Sequence, residues 1–394
     1  MTLAIERLQF RDFRNYESLE LRGLSDITVL VGENAIGKTN IIEGVQLLTA
    51  LTSFRHATRE QLIRHGCGAA RLEASVTDGK RDLTVDMLLD DKARKYRLNG
   101  KAKRPADLKG LVPSVIFTPD DLELAKGSMT VRRTALDALG SQVNKSYYTV
   151  RRDYEKVIRH KNRLLKEKAD PALVGAIDEM VVTVGAQLAW YRAALFARLQ
   201  GPLAEKYRQI SGGREVLTAV YAPSWNRSAG SFEVHLPGDI DAPRPLPYPG
   251  AIPAPSFTRD EAREALARAL HERVAEERRR GRAVVGPHAD TITFLLDNQD
   301  ASLYGSQGQQ RSIVLAYKLA EAAVIEELLE QKPVLLLDDV MSELDGRRRE
   351  ALVEAMERGS QTFITTANLA YFDQNMLNRA NVVELPYKPQ TPEI

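Results

Sequence analysis

Gly32-Glu33-Asn34-Ala35-Ile36-Gly37-Lys38-Thr39 sets two glycines, a lysine and a threonine at the spacing of a phosphate-binding loop. The glycines let consecutive backbone N–H groups curl toward phosphate oxygens, and a helix opening behind them adds the positive end of its dipole. Lys38 supplies a mobile positive charge for the outer phosphates, and the Thr39 hydroxyl suits Mg²⁺. Near the other end of the chain, Pro333-Val334-Leu335-Leu336-Leu337-Asp338-Asp339 reads as a buried strand ending in two carboxylates. Asp338 is suited to hold the Mg²⁺ that Thr39 also ligates, and Asp339 to act as general base on an attacking water. Ahead of that strand, Ser306-Gln307-Gly308-Gln309 opens a long helix. A hydroxyl, first-turn N–H groups and a dipole end make it a second anion-binding device. Each device has a plain alternative: a Gly-rich turn, a strand stopping at a polar turn, a helix cap. Their joint presence and order select the reading of a nucleoside triphosphate site holding ATP and Mg²⁺.

Positioning these residues requires a strand before the loop and a helix after it. Ile27 to Val31 is the apolar run, and Asn40 to Leu48 carries the helical pattern. Residues 1–120 alternate short apolar runs with turns and hold one clear helix. Residues 121–215 read as mainly helical, with a core-facing stripe through Leu173, Ile177, Val181, Val184, Leu188, Tyr191, Leu195 and Leu199. The proline-rich stretch 237–256 reads as an irregular loop, Arg259 to Arg282 as one charged helix, and the β/α pattern resumes at Thr291. The expected organisation is an α/β lobe from residues 1–120 and 285–394, with a mainly helical lobe inserted at 121–284.

The 394 residues suffice for two lobes. The apolar stretches read as shorter than a membrane span, the N-terminus lacks a signal-peptide layout, and the single cysteine, Cys67, excludes an internal disulfide. A cytoplasmic protein with no membrane partner is expected. Cys67 and the nearby His65 are too few ligands to suggest a metal site. Net charge is only +2, but it is unevenly spread. Lys92 to Arg104 holds seven Lys/Arg and no carboxylate around an Asn99-Gly100 turn that reads as a hairpin. Lys145 to Lys168 holds nine Lys/Arg against three acids, with Tyr147, Tyr148 and Tyr154 interleaved. Either stripe alone reads equally as a solvated face or as a surface for DNA phosphates. Both on one chain that reads as an ATPase, with no other evident partner, favour DNA. No base-reading set appears, so backbone contacts are expected.

The order of phosphate loop, S-x-G-Q helix, aliphatic strand with two acids, and Ser342-Glu343-Leu344-Asp345 resembles the ABC-type ATPase head, in the branch that contains SMC proteins and the RecF family. Within that branch several segments are similar to RecF proteins. They are Asp12-Phe13-Arg14-Asn15-Tyr16; Pro119-Asp120-Asp121-Leu122-Glu123-Leu124 with Gly127-Ser128, Arg132-Arg133 and Leu136-Asp137; Tyr154 with Arg159 and Asn162; and Gly286-Pro287-His288. By these matches the chain is identified as a member of the RecF family. The resemblance implies an ABC-type P-loop ATPase head built from both chain ends with a short arm. It implies Arg14 near the nucleotide phosphates, Gly32 through Thr39 around the nucleotide in cis, and Ser306, Gly308 and Gln309 acting in trans across an ATP-dependent homodimer. It also implies a DNA-repair role at single-strand gaps or junctions, within the SOS response to DNA damage and in replication restart, assisting recombinase loading with RecR and RecO as partners. Met129, Ala135 and Ala289 depart from the family pattern and receive no role. Thr366 stands where transporters carry a switch histidine, Phe117-Thr118-Pro119 where they carry a glutamine loop, and Asp339 is one methylene shorter than the usual glutamate. Slow, DNA-stimulated hydrolysis is therefore expected. An SMC protein would need sustained heptads between Thr39 and Ser306, which are absent. The basic stripes disfavour a transporter, and no acidic cluster suggests a nuclease.

Overall fold

In the computed structural model residues 2–24, 26–226 and 257–386 are described; the proline-rich stretch 237–256 lies outside them. The chain runs β1 (Ala4–Phe13), β2 (Tyr16–Arg22), β3 (Ile27–Val31), α1 (Lys38–Thr49), β4 (Ala69–Thr77), β5 (Asp82–Asp90), β6 (Arg94–Leu98), β7 (Lys101–Lys103) and β8 (Ser114–Phe117). It continues through α2 (Met129–Val143), α3 (Lys145–Lys166), α4 (Pro171–Ser211), β9 (Leu217–Ala222), α5 (Arg259–Glu272), α6 (Val274–Arg280), β10 (Thr291–Leu296), β11 (Gln299–Asp300) and α7 (Gln307–Leu329). It ends with β12 (Val334–Asp338), α8 (Gly346–Glu357), β13 (Thr362–Thr366) and β14 (Asn381–Glu384). Two compact units result, 1–121 with 321–394 and 122–320.

The first unit contains a six-stranded antiparallel sheet, β2-β1-β4-β5-β6-β7, and a five-stranded parallel sheet, β14-β3-β13-β12-β8. One apolar core takes residues from both, and α1 is buried within it along almost its whole length. Helix and sheet approach so closely at Gly44 that a Cβ there would lie 2.4 Å from the Phe10 ring. The parallel sheet fixes the site by register. β13 lies between β3 and β12, pairing Thr365 with Leu30 on one side and with Asp338 on the other. The loop after β3 and the acids ending β12 therefore flank the same strand end, where open α/β sheets bind ligands. The basic hairpin is β6–β7, turned through Asn99 and Gly100 at φ 50° and 75°, the double left-handed conformation of a two-residue type I′ turn.

The second unit is mainly helical but holds its own antiparallel sheet, β11-β10-β9. Pairing of β10 with β9 ties residues 291–296 to 217–222, so residues 285–320 group with this unit and not with the phosphate-loop unit as expected. The division falls inside α7, between Ala320 and Glu321. The expected single helix over 259–282 is broken at Arg273, which leaves helical geometry between α5 and α6. Leu173, expected in the core, is 48% exposed, whereas Ile177, Val181, Leu188, Leu195 and Leu199 are buried. Contrary to the expectation from its sequence, α4 is long and apolar enough to cross a membrane; its buried stripe is the core of this unit.

Buried charge organises the second unit. Arg192 grips Asp137 through two hydrogen bonds of 2.8 and 2.7 Å and reaches Asp290 at 3.4 Å. Tyr147 donates to Asp137 at 2.6 Å, and Tyr221 to Asp290 at 2.5 Å. Burial raises both carboxyl pKa values, but the bidentate Arg192 overcomes it at Asp137, whose pKa is lowered, and not at the more distant Asp290, whose pKa is raised. Lys161 is completely buried between Asp178 at 2.6 Å and Glu277 at 2.5 Å. Replacing it leaves two carboxylates without their cation, so Lys161→Ala should lower unfolding free energy by about 3–5 kcal/mol, measured by urea denaturation, with Lys161→Met costing less because it refills the volume.

Candidate nucleotide site

The phosphate loop is built by three local constraints. Gly37 adopts φ 117°, which side chains rarely tolerate, and a Cβ there would lie 2.6 Å from the Asn15 amide. At Gly32 a Cβ would come within 2.9 Å of the Leu385 carbonyl oxygen, because β14 closes over the loop, with the Leu385 N–H on the Val31 carbonyl at 2.8 Å. Ala35 sits at φ 66°, a left-handed turn that an alanine holds only under constraint. Lys38 is buried and donates to the Gly32 and Glu33 carbonyls at 2.5 and 2.9 Å, so its ammonium sits within the arch of the loop. Among the described residues no side chain caps α1, which leaves the Lys38 and Thr39 N–H groups at its start for an anion.

At the neighbouring strand ends Asp338 receives two hydroxyls on one oxygen, from Thr39 at 2.9 Å and Thr365 at 2.8 Å. Burial raises its carboxyl pKa; the two hydroxyls pull it back, and neighbouring Asp339 adds to the rise. Asp339 is turned into a left-handed backbone, φ 53°, by which its N–H meets the Thr365 hydroxyl at 2.9 Å. A cavity of about 780 Å³ is lined by Arg14, Asn34, Ala35, Gly37, Lys38, Thr39 and Asp339 among others, a volume in the range of nucleotide-sized ligand sites. Glu33 is exposed on the loop, and the Ile36 carbonyl holds the Asn15 amide at 3.1 Å.

Arg14, expected near the phosphates, does line the cavity, and other residues around it were not singled out from sequence. Arg14 is held at φ 55° by the Leu62 carbonyl, 2.9 Å from its N–H, and by Glu43, which takes two guanidinium hydrogen bonds of 2.8 Å each. Glu43 is fully buried. Its legible signal is a lone carboxylate in the apolar run Ile41-Ile42-Glu43-Gly44-Val45, a position that demands a cation. Beside Gly37 the Tyr16 hydroxyl is buried and, among the described residues, has no hydrogen-bond partner, and burial pushes its pKa up to about 12, which keeps it a donor. Arg55, Gln61, Ile63, His65 and Thr365 also line the cavity.

Ser306, Gly308 and Gln309 lie in the second unit. Ser306 and Gln309 form a reciprocal cap: the Ser306 N–H donates to the Gln309 side-chain oxygen at 2.6 Å, and the Gln309 N–H to the Ser306 hydroxyl at 3.2 Å. Gln309 also donates to Glu215 at 2.7 Å, whose other oxygen accepts from Tyr207 of α4 at 2.5 Å. Ser306 is exposed and the Gly308 carbonyl accepts from Ser312 at 3.1 Å.

Of the basic candidates, the β6–β7 hairpin exposes Lys95, Arg97, Lys101, Lys103 and Arg104. On α3, Lys145, Arg152, Lys156, Arg159, Arg163 and Lys166 are exposed at spacings of one helix face. Other candidates turn inward. Arg132 is 1% exposed and spends its donors on the Leu124, Ala125 and Ile292 carbonyls. Arg133 is occupied by the Asp290 carbonyl at 2.5 Å. Lys161, Tyr147 and Tyr154 are buried, the last with its hydroxyl 2.7 Å from His288. These residues are framework.

Residues 4–385 match the RecF/RecN/SMC N terminal domain family. The chain is 33% identical over 389 residues to the DNA replication and repair protein RecF of Halalkalibacterium halodurans, an alignment covering 97% of this chain and 98% of that protein. It is 35% identical over 392 residues to RecF of Synechococcus sp. strain JA-2-3B'a(2-13), covering 97% and 96%. Among solved structures, the recombination mediator protein RecF-ATP of the RecFOR pathway superposes with a TM-score of 0.80 at 27% identity, covering 94% of each chain. An Smc head bound to the C-winged helix domain of ScpA superposes at 0.50 with 14% identity over 96% of this chain and 93% of that one, and shares the fold alone. With full-length relatives above 30% identity, a matching domain family and the phosphate-loop geometry described above, this chain belongs to the RecF family.

Proposed function

We propose that the protein is an ATP-dependent DNA-binding protein of recombinational repair and replication restart, in which ATP drives head-to-head dimerisation on DNA and slow hydrolysis permits release. The observation that carries this reading is the convergence of Lys38, Thr39 and Asp339 on one cavity at the N-terminus of α1, with Asp338 hydrogen bonded to Thr39. Lys38 and the loop N–H groups hold the phosphates. Thr39 and Asp338, already hydrogen bonded to each other, are the oxygen pair for Mg²⁺, which supplies charge neutralisation on the phosphate oxygens. Asp339 is the general base for water. Ser306, Gly308 and Gln309 close on the nucleotide of a second copy. DNA near single-strand gaps or junctions is the nucleic acid, held by the exposed faces of α3 and the β6–β7 hairpin; the RecFOR pathway of the solved relative supports RecR and RecO as partners in assisting a recombinase. A cytoplasmic site of action follows from that role.

Lys38→Ala should abolish ATP binding, read with a fluorescent ATP analogue. Ser306→Ala should keep ATP binding by the monomer but weaken ATP-dependent dimerisation about 10-fold in light scattering, the loss expected of a charge-assisted contact; loss of monomer binding would remove the trans role.

The raised pKa of Asp338 means that the folded apo-protein holds its proton more tightly than the unfolded chain. Its contribution is most favourable below the ordinary carboxyl pKa and erodes as pH rises through the folded value. Asp338→Asn should therefore raise the apo melting temperature at pH 7, with the gain vanishing in acid, while removing stabilisation by Mg²⁺ with ATP.

DNA affinity should fall steeply with salt and vary little with sequence. Reversing Arg152, Arg159 and Arg163 should flatten the log–log salt slope by about 0.9 per lost duplex phosphate contact, measured by fluorescence anisotropy on gapped duplexes; an unchanged slope removes α3 from the DNA surface.

A further inference from the structure

The start of α7 is tied to a carboxylate that belongs to none of the sequence motifs. After α4, Gly212 and Gly213 both adopt φ 70° and turn the chain back toward β9. Val216 is held to Asp297 in both directions: its N–H donates to the carboxylate at 2.9 Å, and its carbonyl accepts from the Asp297 N–H at 3.0 Å. Between these fixed points Glu215 is half-buried, against the first turn of α7. One of its oxygens accepts from the Gln309 amide at 2.7 Å and the other from the Tyr207 hydroxyl at 2.5 Å. Tyr207 is fully buried on α4. Both donors are neutral, and the positive end of the α7 dipole favours a negative charge at this place.

An ionised carboxylate accepts and cannot donate, so Glu215 decides which way round the Gln309 amide sits. The NH₂ group must face Glu215, and the amide oxygen is thereby committed to the Ser306 N–H at 2.6 Å. That bond closes the reciprocal cap in which the Gln309 N–H donates to the Ser306 hydroxyl oxygen at 3.2 Å. With its oxygen accepting inside the cap, the exposed Ser306 keeps its hydroxyl proton for an outside acceptor. A flipped amide would set its NH₂ against the Ser306 N–H and its oxygen against the carboxylate, and the cap would open. The direction of the donor at the tip of α7 is thus set from outside that helix.

We propose that Glu215 is a positioning residue for the anion-binding end of α7: it orients Gln309, through Gln309 the Ser306 hydroxyl, and it links both to Tyr207 of α4. The assignment rests on the reading of Ser306 and Gln309 as groups that close on the nucleotide of a second copy. It carries that contact back into the core of the second unit, so that the seat of α4 and the donor presented to the other copy are set together.

The test is ATP-dependent dimerisation of the full-length protein with Mg²⁺, read by light scattering, with mant-ATP binding by the monomer as the reference for an intact nucleotide site. Wild type is compared with Ser306→Ala, Glu215→Ala, Glu215→Gln, Gln309→Ala and the double variant Glu215→Ala/Gln309→Ala; Glu215→Leu, closer to the native volume, takes the place of Glu215→Ala if the alanine variant does not fold. Glu215→Ala should weaken dimerisation about 10-fold, the size of a hydrogen bond to a charged group. Glu215→Gln, whose side-chain oxygen still accepts from Gln309, should recover most of the loss. In the Gln309→Ala background, removing Glu215 should cost nothing further, because it acts through that amide. Equal losses in both backgrounds would overturn the positioning role and leave Glu215 a prop of the fold. Dimerisation that Ser306→Ala impairs and Glu215→Ala leaves unchanged would overturn it as well. A wild type that binds mant-ATP and stays monomeric would overturn the trans reading, and this assignment with it.

Discussion

The seat of α1 inside the first unit is the constraint from which the site follows. A helix whose N-terminus must serve as an anion hole has to stay fixed while charge binds there, and α1 achieves this by burying nearly every side chain between the antiparallel and parallel sheets. The approach of Phe10 to Gly44 sets how deeply the helix sits; any side chain at Gly44 would lift α1 off β1. Depth in turn places Glu43 where a carboxylate cannot meet water, and that buried charge is tolerable only with cations and hydroxyls brought to it. Arg14 and Ser53 arrive for this reason. Packing, capping and electrostatics of the cavity are thus one arrangement, with the apolar fit of a single helix as its origin.

The second unit solves a related problem with different chemistry. Its buried ions do not face a cavity; they cross-link elements. Arg192 on α4 joins α2 through Asp137 and the turn before β10 through Asp290, while Lys161 on α3 joins α4 and α6. Such networks add less net stability than an apolar core of equal volume but penalise any misplacement of their members strongly. Arg132 extends the scheme by terminating carbonyls of the segment before α2 and of β10 and by stacking over Phe294 at 5.1 Å. Arg132, Arg133, Tyr147 and Tyr154, which looked available to a polyanion, are ties of this framework.

What could be read from sequence divides along physical lines. The phosphate loop, the aliphatic strand with its two acids and the Asn99-Gly100 hairpin were legible because each is local: spacing alone constrains the backbone. Arg55 was not, since its place in the cavity depends on how a loop folds back on α1. Lys161 is intermediate. Counting charge put it on a basic stripe, yet it falls on the same helical face as Tyr147, Tyr154, Ile158 and Leu165, all buried. The charge count did not separate the inward face from the outward one, and the partners Asp178 and Glu277 explain a cation there. The domain boundary was misplaced for a similar reason, because the pairing of β10 with β9 is a long-range contact with no local mark.

The bond from Gln309 to Glu215 couples the start of α7 to the C-terminal end of α4. α4 runs for 41 residues, which at 1.5 Å per residue makes a rod about 60 Å long. A rod pivoted at one end amplifies rotation into travel: tilting it by about 5° sweeps the far tip through on the order of 5 Å, one full helical pitch. Because Arg192 and Asp178 tie this rod to α2 and α3 along its length, any such tilt has to carry those helices with it.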